Sequence, residues 1–294
     1  MFKKITSFVI ILLVYSTPAY SLDWKVLHEQ ADNLSLTEAS QALNKDSRSV
    51  SKKYTLGLVY LRLHQDQAAD EIFHQLSADD PDLIQAKWGQ AEVLRRGHKS
   101  SAAEKLLDPV IKTDPYFAPA LVSLAYIRYF QMDFISAVRL ALKIIQGGRQ
   151  RSDLSSYARA YALYAGAKGM LAHYGGIFSK AIDGLAVKPN LEKARKLQPD
   201  SPAVLFGLGS FYLLAPAAAG GDPSLAKDYF DRAIKIDPLF ADAYLRLAQL
   251  AKNRGDQEKY NFYLNKTLEI DPGNELAQDI LSGSCKFICL DPKR

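Results

Sequence analysis

The sequence contains few of the residues from which catalytic and metal sites are usually built. Among its 294 residues there are two cysteines and five histidines. None of the histidines lies in H-E-x-x-H or in another metal-ligand spacing, and no G-x-S-x-G, P-loop or G-x-G-x-x-G motif is present. We therefore expect a protein that is not an enzyme and that has neither a metal site nor a cofactor.

The two cysteines, Cys285 and Cys289, lie close together near the C-terminus in the sequence C-K-F-I-C. Their spacing differs from the C-x-x-C of thiol oxidoreductases, and no histidine lies nearby to complete a metal site. In an oxidising compartment the simplest interpretation is a local disulfide, which would stabilise so small a loop by about 2 kcal/mol at most. A pair of free thiols is the alternative.

The charge balance gives no sign of a nucleic-acid partner. Lysine and arginine number 37 against 32 acidic residues, which leaves a formal net charge of +5. The basic residues are scattered, and no Lys/Arg-rich run or basic–aromatic interleaving is present, so we expect no nucleic-acid binding. Long apolar runs are also missing after Ser21, so no transmembrane segment is predicted in that part of the chain.

The segment from Met1 to Ser21 has the pattern of a secretory signal peptide. Lys3 and Lys4 form a basic start, residues 8–15 form a short apolar run, and Ala19 and Ser21 provide small residues before a cleavage site. The apolar run is shorter than the ~20 residues that a spanning helix needs. We therefore expect export to the periplasm or secretion, with an uncleaved membrane anchor as the alternative.

Aspartate–proline pairs recur along the chain at a fixed spacing. The interval from Asp80-Pro81 to Asp114-Pro115 equals the interval from Asp237-Pro238 to Asp271-Pro272, and each is thirty-four positions long. A fixed period of this size is typical of a repeat array in which each unit packs on the next.

The pattern inside one period indicates a pair of helices. In residues 241–274, apolar or small residues recur at positions 4, 7, 8 and 11, and a second set recurs at positions 20, 24 and 27. Gly255-Asp256 between the two sets suits a turn, and Pro272 ends the second helix. This spacing resembles the tetratricopeptide repeat (TPR), whose unit is a helix–turn–helix.

The resemblance implies an all-α fold, namely a right-handed α-solenoid of about six TPR helix pairs with capping helices at both ends. Residues 22–49 are predicted to cap the N-terminal end, and residues 275–294 to form a C-terminal capping helix and the cysteine tail. The repeats are predicted near residues 50–83, 84–117, 118–151, 152–201, 202–240 and 241–274.

The fourth of these repeats is longer than the others. The interval from Pro115 to Pro199 exceeds two repeat periods by sixteen positions. We predict that the extra residues form a short amphipathic helix at residues 177–187, bounded by Gly175-Gly176 and by Pro189. The fifth repeat carries five further residues between its two helices.

The resemblance also indicates where a partner would bind. In TPR proteins the first helices line a concave groove, and positions 2, 5, 9, 12 and 13 contact ligands. In this chain those positions hold aromatic and apolar side chains and a few arginines, a composition enriched at binding hot spots. Packing against the insertion or a neighbouring turn is an alternative for each aromatic residue. The groove residues predicted in this way are Tyr54, Arg62, Trp88, Arg95, Tyr126, Tyr129, Phe130 and Phe206.

Two hypotheses of function follow. The first is an exported, non-enzymatic TPR scaffold that binds a protein or peptide partner in the groove. The second depends on residues 157–238, which are similar to the periplasmic TPR component associated with TRAP-type transporters, although this chain lacks a lipoprotein cysteine. That resemblance implies a small-ligand-binding accessory component that takes a small apolar ligand, with Phe206, Phe211, Tyr212 and Leu213 as wall residues.

Overall fold

The computed structural model describes residues 23–287, and within this range the chain folds into α-helices joined by short turns. The all-α prediction is confirmed, and the helices follow one another as consecutive pairs along an α-solenoid. The helices are α1 (Trp24–Asn33), α2 (Leu36–Lys45), α3 (Val50–Arg62), α4 (Asp66–Asp79), α5 (Ile84–Arg96), α6 (Ser100–Thr113), α7 (Ala118–Phe130), α8 (Phe134–Gly147), α9 (Leu154–Tyr174), α10 (Ile177–Leu197), α11 (Pro202–Leu214), α12 (Pro223–Ile236), α13 (Ala241–Asn253), α14 (Gln257–Ile270) and α15 (Glu275–Leu281).

Two sequence-based predictions fall outside the described residues. The signal peptide at residues 1–21 lies before the first described residue, and Cys289 lies after the last. Cleavage after Ser21 and a Cys285–Cys289 disulfide therefore stay predictions. Among the helices that are described, none is long and apolar enough to cross a membrane.

The turn inside a repeat requires a left-handed backbone at its fifteenth position. His64, His98, Met132 and Gly255 occupy this position in four repeats, with φ angles of 57°, 59°, 63° and 73°. Only glycine adopts such angles without steric strain, so the first three residues hold an unfavourable conformation. The helix pairs on either side hold the turn in place.

Glycine and phenylalanine interlock in the packing of the repeats. Phe73 of α4 is fully buried, and a methyl group added at Gly57 of α3 would lie 2.8 Å from its ring. A methyl group at Gly89 of α5 would lie 2.4 Å from the same ring. Phe230 and Gly209 repeat this arrangement later in the chain, at 2.5 Å. The glycines therefore let adjacent helices approach around one buried ring.

The long repeat differs from its prediction. The extra residues do not form a separate short helix, because α10 runs without interruption from Ile177 through Pro189 to Leu197. They instead lengthen both α9 and α10 to 21 residues. Pro189 cannot donate to the carbonyl of Leu185, but Leu185 is exposed, so water can satisfy that carbonyl. For this reason the proline is tolerated inside the helix.

The solenoid returns on itself, so that its first two repeats contact its last two. His64 Nε2 lies 2.9 Å from Asp237 Oδ2, and His98 Nε2 lies 2.7 Å from Asp271 Oδ1. In addition, His98 Nδ1 lies 3.0 Å from Glu275 Oε1. We call these five residues the seam. It joins the intra-repeat turns of the first two repeats to the ends of α12 and α14 and to the start of α15.

Candidate ligand-binding cavity

The concave side of the solenoid surrounds a cavity of about 1870 Å³. The first helix of each of the six repeats contributes to its wall, together with α10, α14 and α15, and the seam residues form part of one side. Small-molecule sites typically occupy ~300–1,000 Å³. This cavity is therefore larger than a typical small-molecule site.

The structure brings most of the predicted groove residues to this cavity. Arg62, Arg95, Tyr126, Tyr129, Phe130 and Phe206 lie in its wall. The remaining two, Tyr54 and Trp88, do not, and the prediction that they contact a partner is corrected by their positions in the core.

Tyr54 and Trp88 are covered by the N-terminal helix α1. The Tyr54 hydroxyl lies 2.8 Å from His28 Nε2, and Trp88 donates its indole N–H to Ser123 Oγ at 3.1 Å. His28 also packs against Trp88, with ring centroids 5.1 Å apart. The repeat pattern places both side chains on the groove face, but it carries no information that α1 fills this end of the groove.

Arg62 also serves the N-terminal cap. Its Nε donates to the carbonyl of Ala31 at 3.1 Å, and its Nη2 donates to the carbonyl of Leu34. These are carbonyls at the end of α1 that lack partners within the helix. Arg62 therefore fixes α1 against α3, while part of its side chain lies in the cavity wall.

Arg95 is held by an internal ion pair. Its Nε and Nη2 each donate to the carboxylate of Glu92 at 2.8 Å, and Ser123 Oγ donates to Glu92 Oε2 at 2.7 Å. Burial alone would raise the pKa of Glu92, but the Arg95 charge and these hydrogen bonds lower it to about 2. The Arg95 guanidinium also lies 4.2 Å from the centroid of the Tyr126 ring. Glu92 and Arg95 are therefore both ionised, and each compensates the charge of the other.

Two further arginines in the wall were not predicted from the sequence. Arg159 of α9 lines the cavity and takes part in no hydrogen bond or ion pair with any described residue. Arg246 of α13 is only 4% exposed; its Nη1 donates to Gln249 Oε1 at 2.7 Å, while its Nε has no partner among the described residues. Burial lowers the pKa of both guanidinium groups. For Arg159, the signal available in the sequence was a single arginine inside the alanine- and tyrosine-rich start of α9.

The apolar part of the wall comes mainly from the long repeat and from α11. Phe206 and Phe211 lie in it, as the second hypothesis predicts. Tyr212 and Leu213, predicted with them, are instead buried in the core and do not line the cavity, which corrects that part of the prediction. The other apolar wall residues include Leu163, Met170, Leu185 and Leu214.

The seam concentrates titratable groups at one side of the cavity. The hydrogen bond to Asp271 and the close carboxylate of Glu275 raise the pKa of His98 to about 10. Burial raises the pKa of the neighbouring Asp242 to about 6, against the opposing effect of a hydrogen bond from Asn274. Across the described residues no group of three or more histidine, cysteine or carboxylate side chains is arranged to hold a metal ion.

The comparisons with known proteins agree with this architecture. A tetratricopeptide-repeat family model matches residues 229–259, which run from α12 through α13 into α14. No curated protein matches this sequence. Among solved structures, a tetratricopeptide repeat protein from Parabacteroides merdae is 12% identical, with a TM-score of 0.52 over 88% of this chain and 97% of that chain.

Two longer proteins also share the fold. A chain of the APC/C hetero-tetramer Cut9–Hcn1 is 17% identical, with a TM-score of 0.55, and the match covers 91% of this chain but 49% of that one. Human IFIT1, in a dimer with m7Gppp-AAAA, is 16% identical, with a TM-score of 0.54 over 79% of this chain and 55% of that one. Such identities establish the fold alone. The chain therefore has the tetratricopeptide-repeat fold, a solenoid of the kind that provides a concave binding surface.

Proposed function

We propose that this protein is a non-catalytic binding protein that holds a small ligand with an apolar body in its central cavity. The observation that carries the proposal is the seam. Contacts of His64 with Asp237 and of His98 with Asp271 bring the two ends of the array together along one side of the concave surface. A small ligand can enter such a cavity along its axis, whereas a folded partner needs an open groove.

The composition of the wall supports the same proposal. Ligand sites are mainly apolar with a few well-placed polar groups. Here Phe206, Phe211 and Met170 provide apolar surface, and Arg159 and Arg246 provide cations that form no ion pair with a described residue. The resemblance of residues 157–238 to the periplasmic TPR component of TRAP-type systems favours the same assignment, with export as part of the proposal.

The test of this function is native mass spectrometry of the mature protein, purified without detergent from an exported fraction. We expect a small additional mass that leaves on mild activation. A Gly166→Leu variant, which places a large side chain in the cavity wall, serves as the control and is expected to lose that mass while keeping its helical circular dichroism. A wild-type chain that carries no small molecule would contradict the proposal.

Export is tested separately on the same material. Signal cleavage after Ser21 predicts that the exported chain begins at Leu22, which N-terminal sequencing measures directly. A chain that keeps Met1 and stays with the cytoplasmic fraction would contradict export without bearing on the cavity.

A protein partner is the second candidate, and it is favoured by the outer surface. Ile177, Phe178 and Ile182, which do not line the cavity, form an exposed apolar ridge along the start of α10. Contiguous apolar surface of this kind marks interaction sites on soluble proteins. A Phe178→Ser/Ile182→Ser variant is expected to lose any polypeptide that co-purifies with the wild type, while Ile135→Ser, which removes an exposed apolar side chain from α8, retains it. Equal retention by both variants would exclude the ridge.

A further inference from the structure

We propose that the ligand of this cavity is an amphipathic organic anion, that Arg159 binds its acidic group, and that its apolar body lies along α9. The inference rests on the proposed function, because it specifies the chemical class of the ligand in that cavity. It depends on the state of one arginine and on the shape of the helix that follows it.

Arg159 is a cation without a paired counter-charge. It lines the cavity with its side chain partly buried, it donates no hydrogen bond to a described residue, and this partial burial lowers its pKa. A guanidinium stays protonated in proteins, so Arg159 cannot relieve its burial by losing a proton. Burying an unpaired charge is unfavourable unless a partner of opposite charge arrives. An anionic ligand supplies that partner.

The neighbouring carboxylates, Glu92 and Asp153, do not hydrogen-bond to Arg159. Glu92 accepts the hydrogen bonds from Arg95 and Ser123 described above. Asp153 accepts the backbone N–H of Ser156 at 2.8 Å through Oδ1 and caps α9, while its Oδ2 is buried without a hydrogen-bond partner among the described residues. Neither carboxylate forms an ion pair with Arg159, although both contribute to the field around its guanidinium. The direct hydrogen-bonding positions of Arg159 are therefore left for an entering anion.

An apolar stripe on α9 leads away from Arg159. Taking Arg159 as position i, the cavity-lining residues Ala162, Leu163, Gly166 and Met170 fall at i+3, i+4, i+7 and i+11. Residues with this spacing share one face of a helix. At a rise of ~1.5 Å per residue, the stripe extends for about 16 Å from the arginine. An elongated apolar body fits this arrangement better than a compact one.

The glycines of α9 leave space that helix packing does not use. A methyl group at Gly166 would lie 3.7 Å from the Tyr129 ring, and one at Gly169 would lie 3.7 Å from Val187, both at ordinary contact distance. Glycine inside a helix is less favourable than alanine, and neither position needs glycine for packing. Both residues line the cavity. We infer that their small size provides room for the ligand.

A pair of fluorescent probes separates the acidic group from the apolar body. 1-Anilinonaphthalene-8-sulfonate (ANS) and N-phenyl-1-naphthylamine (NPN) share one ring system, and only ANS carries a negative charge. We expect the wild-type protein to bind both, with ANS the tighter. Arg159→Gln is expected to weaken ANS binding about tenfold or more, because a hydrogen-bonded ion pair is lost, and to leave NPN binding unchanged.

Three further variants make the comparison specific. Arg159→Lys keeps the charge and should retain part of the ANS affinity. Arg232→Gln removes an exposed arginine that pairs with Asp200 outside the cavity and should change neither probe. Gly166→Leu should weaken both probes, because it occupies the space for the shared ring system.

The outcomes distinguish this inference from the proposed function. Equal losses of ANS and NPN in Arg159→Gln, or no preference for ANS in the wild type, would overturn the role of Arg159 and leave an apolar-ligand cavity standing. Failure of the folded wild type to bind either probe would overturn the cavity function and this inference together. Unchanged NPN binding by Arg159→Gln also reports that its cavity is intact.

Discussion

His98 Nε2 and Asp271 Oδ1 lie 2.7 Å apart although 173 residues separate them in the sequence. His64 and Asp237 make the corresponding contact one repeat earlier, with the same separation of 173 residues. Each member of one pair lies one full repeat period from its counterpart in the other, so the period of the sequence reappears in the seam. The seam is therefore a property of the repeat, and it is formed where one turn of the solenoid meets the next.

The His98 contact predicts a loss of stability at alkaline pH. The pKa of His98 is raised from 6.5 to about 10 in the folded protein. Because the folded-state value is the higher one, the stabilisation is complete below pH 6.5 and disappears as the pH rises through 10. After allowance for solvent screening we expect about 1–2 kcal/mol. Thermal melts of the wild type between these limits, compared with His98→Gln, measure it.

His74 provides the control for the seam. It pairs with Asp70 on the exposed surface of α4, away from the seam. His74→Gln should leave the alkaline loss of stability as in the wild type. A His98→Gln protein with the same pH profile as the wild type would show that the contact with Asp271 contributes nothing.

The Glu92–Arg95 pair predicts a large effect of a small substitution. Glu92→Gln removes the charge that compensates a buried guanidinium, which typically costs about 3–5 kcal/mol. In the wild type, the pKa of Glu92 is lowered from 4.5 to about 2, so the stabilisation is present above pH 4.5 and is lost as the pH falls through 2. Denaturant unfolding at neutral and acid pH measures both effects.

Glu192 and Arg195 form a more exposed pair of the same spacing on α10. Glu192→Gln is expected to change the free energy of unfolding by less than about 1 kcal/mol. Similar losses for Glu192→Gln and Glu92→Gln would mean that burial of the Glu92–Arg95 pair has no special effect.

Gly209 and Gly166 are predicted to respond in opposite ways to alanine. At Gly209 the added methyl group would lie 2.5 Å from the Phe230 ring, so Gly209→Ala should destabilise the fold by about 1–3 kcal/mol through overpacking. At Gly166 the new methyl group finds ordinary contacts, and the higher helix propensity of alanine should stabilise the fold by up to about 1 kcal/mol. Chemical denaturation of both variants measures the difference, and a destabilising Gly166→Ala would contradict it.

Gly255 isolates the backbone requirement of the intra-repeat turn. Its φ is +73°, and no other group lies within 4 Å of the position of an added methyl group. Gly255→Ala should therefore cost about 1–2 kcal/mol through strain alone. Gly97, at the end of α5, has a φ of −83°, so Gly97→Ala should be close to neutral in the same unfolding experiment.

The parts of the fold that depend on local pattern could be predicted from the sequence. The helices α3, α5, α7, α11 and α13 begin at the first residues of the predicted repeats, because the repeat period fixes turns and packing faces within each unit. The continuation of α10 through Pro189 could not be predicted, since it depends on whether the freed carbonyl of Leu185 faces solvent.

The site was harder to predict because it is assembled from distant segments. From their positions within the repeat, Tyr126, Tyr129 and Phe206 were predicted to line the groove, and they lie in the cavity wall. The repeat positions misplaced Tyr54 and Trp88, because α1 packs over both from outside the repeat pattern. Arg159 lies where the repeat phase is obscured by the long insertion, and its lack of a partner is a property of three-dimensional packing alone.

The contacts between the two ends of the array change how it is expected to unfold. A linear solenoid is stabilised by neighbours only, so its terminal units can fray while the middle stays folded. In this protein the turn at His64 contacts the end of α12. The turn at His98 contacts the end of α14 and the start of α15, so the two ends of the array are joined. Loosening either terminus therefore breaks contacts at the other, and hydrogen exchange should report the first and last repeats opening together.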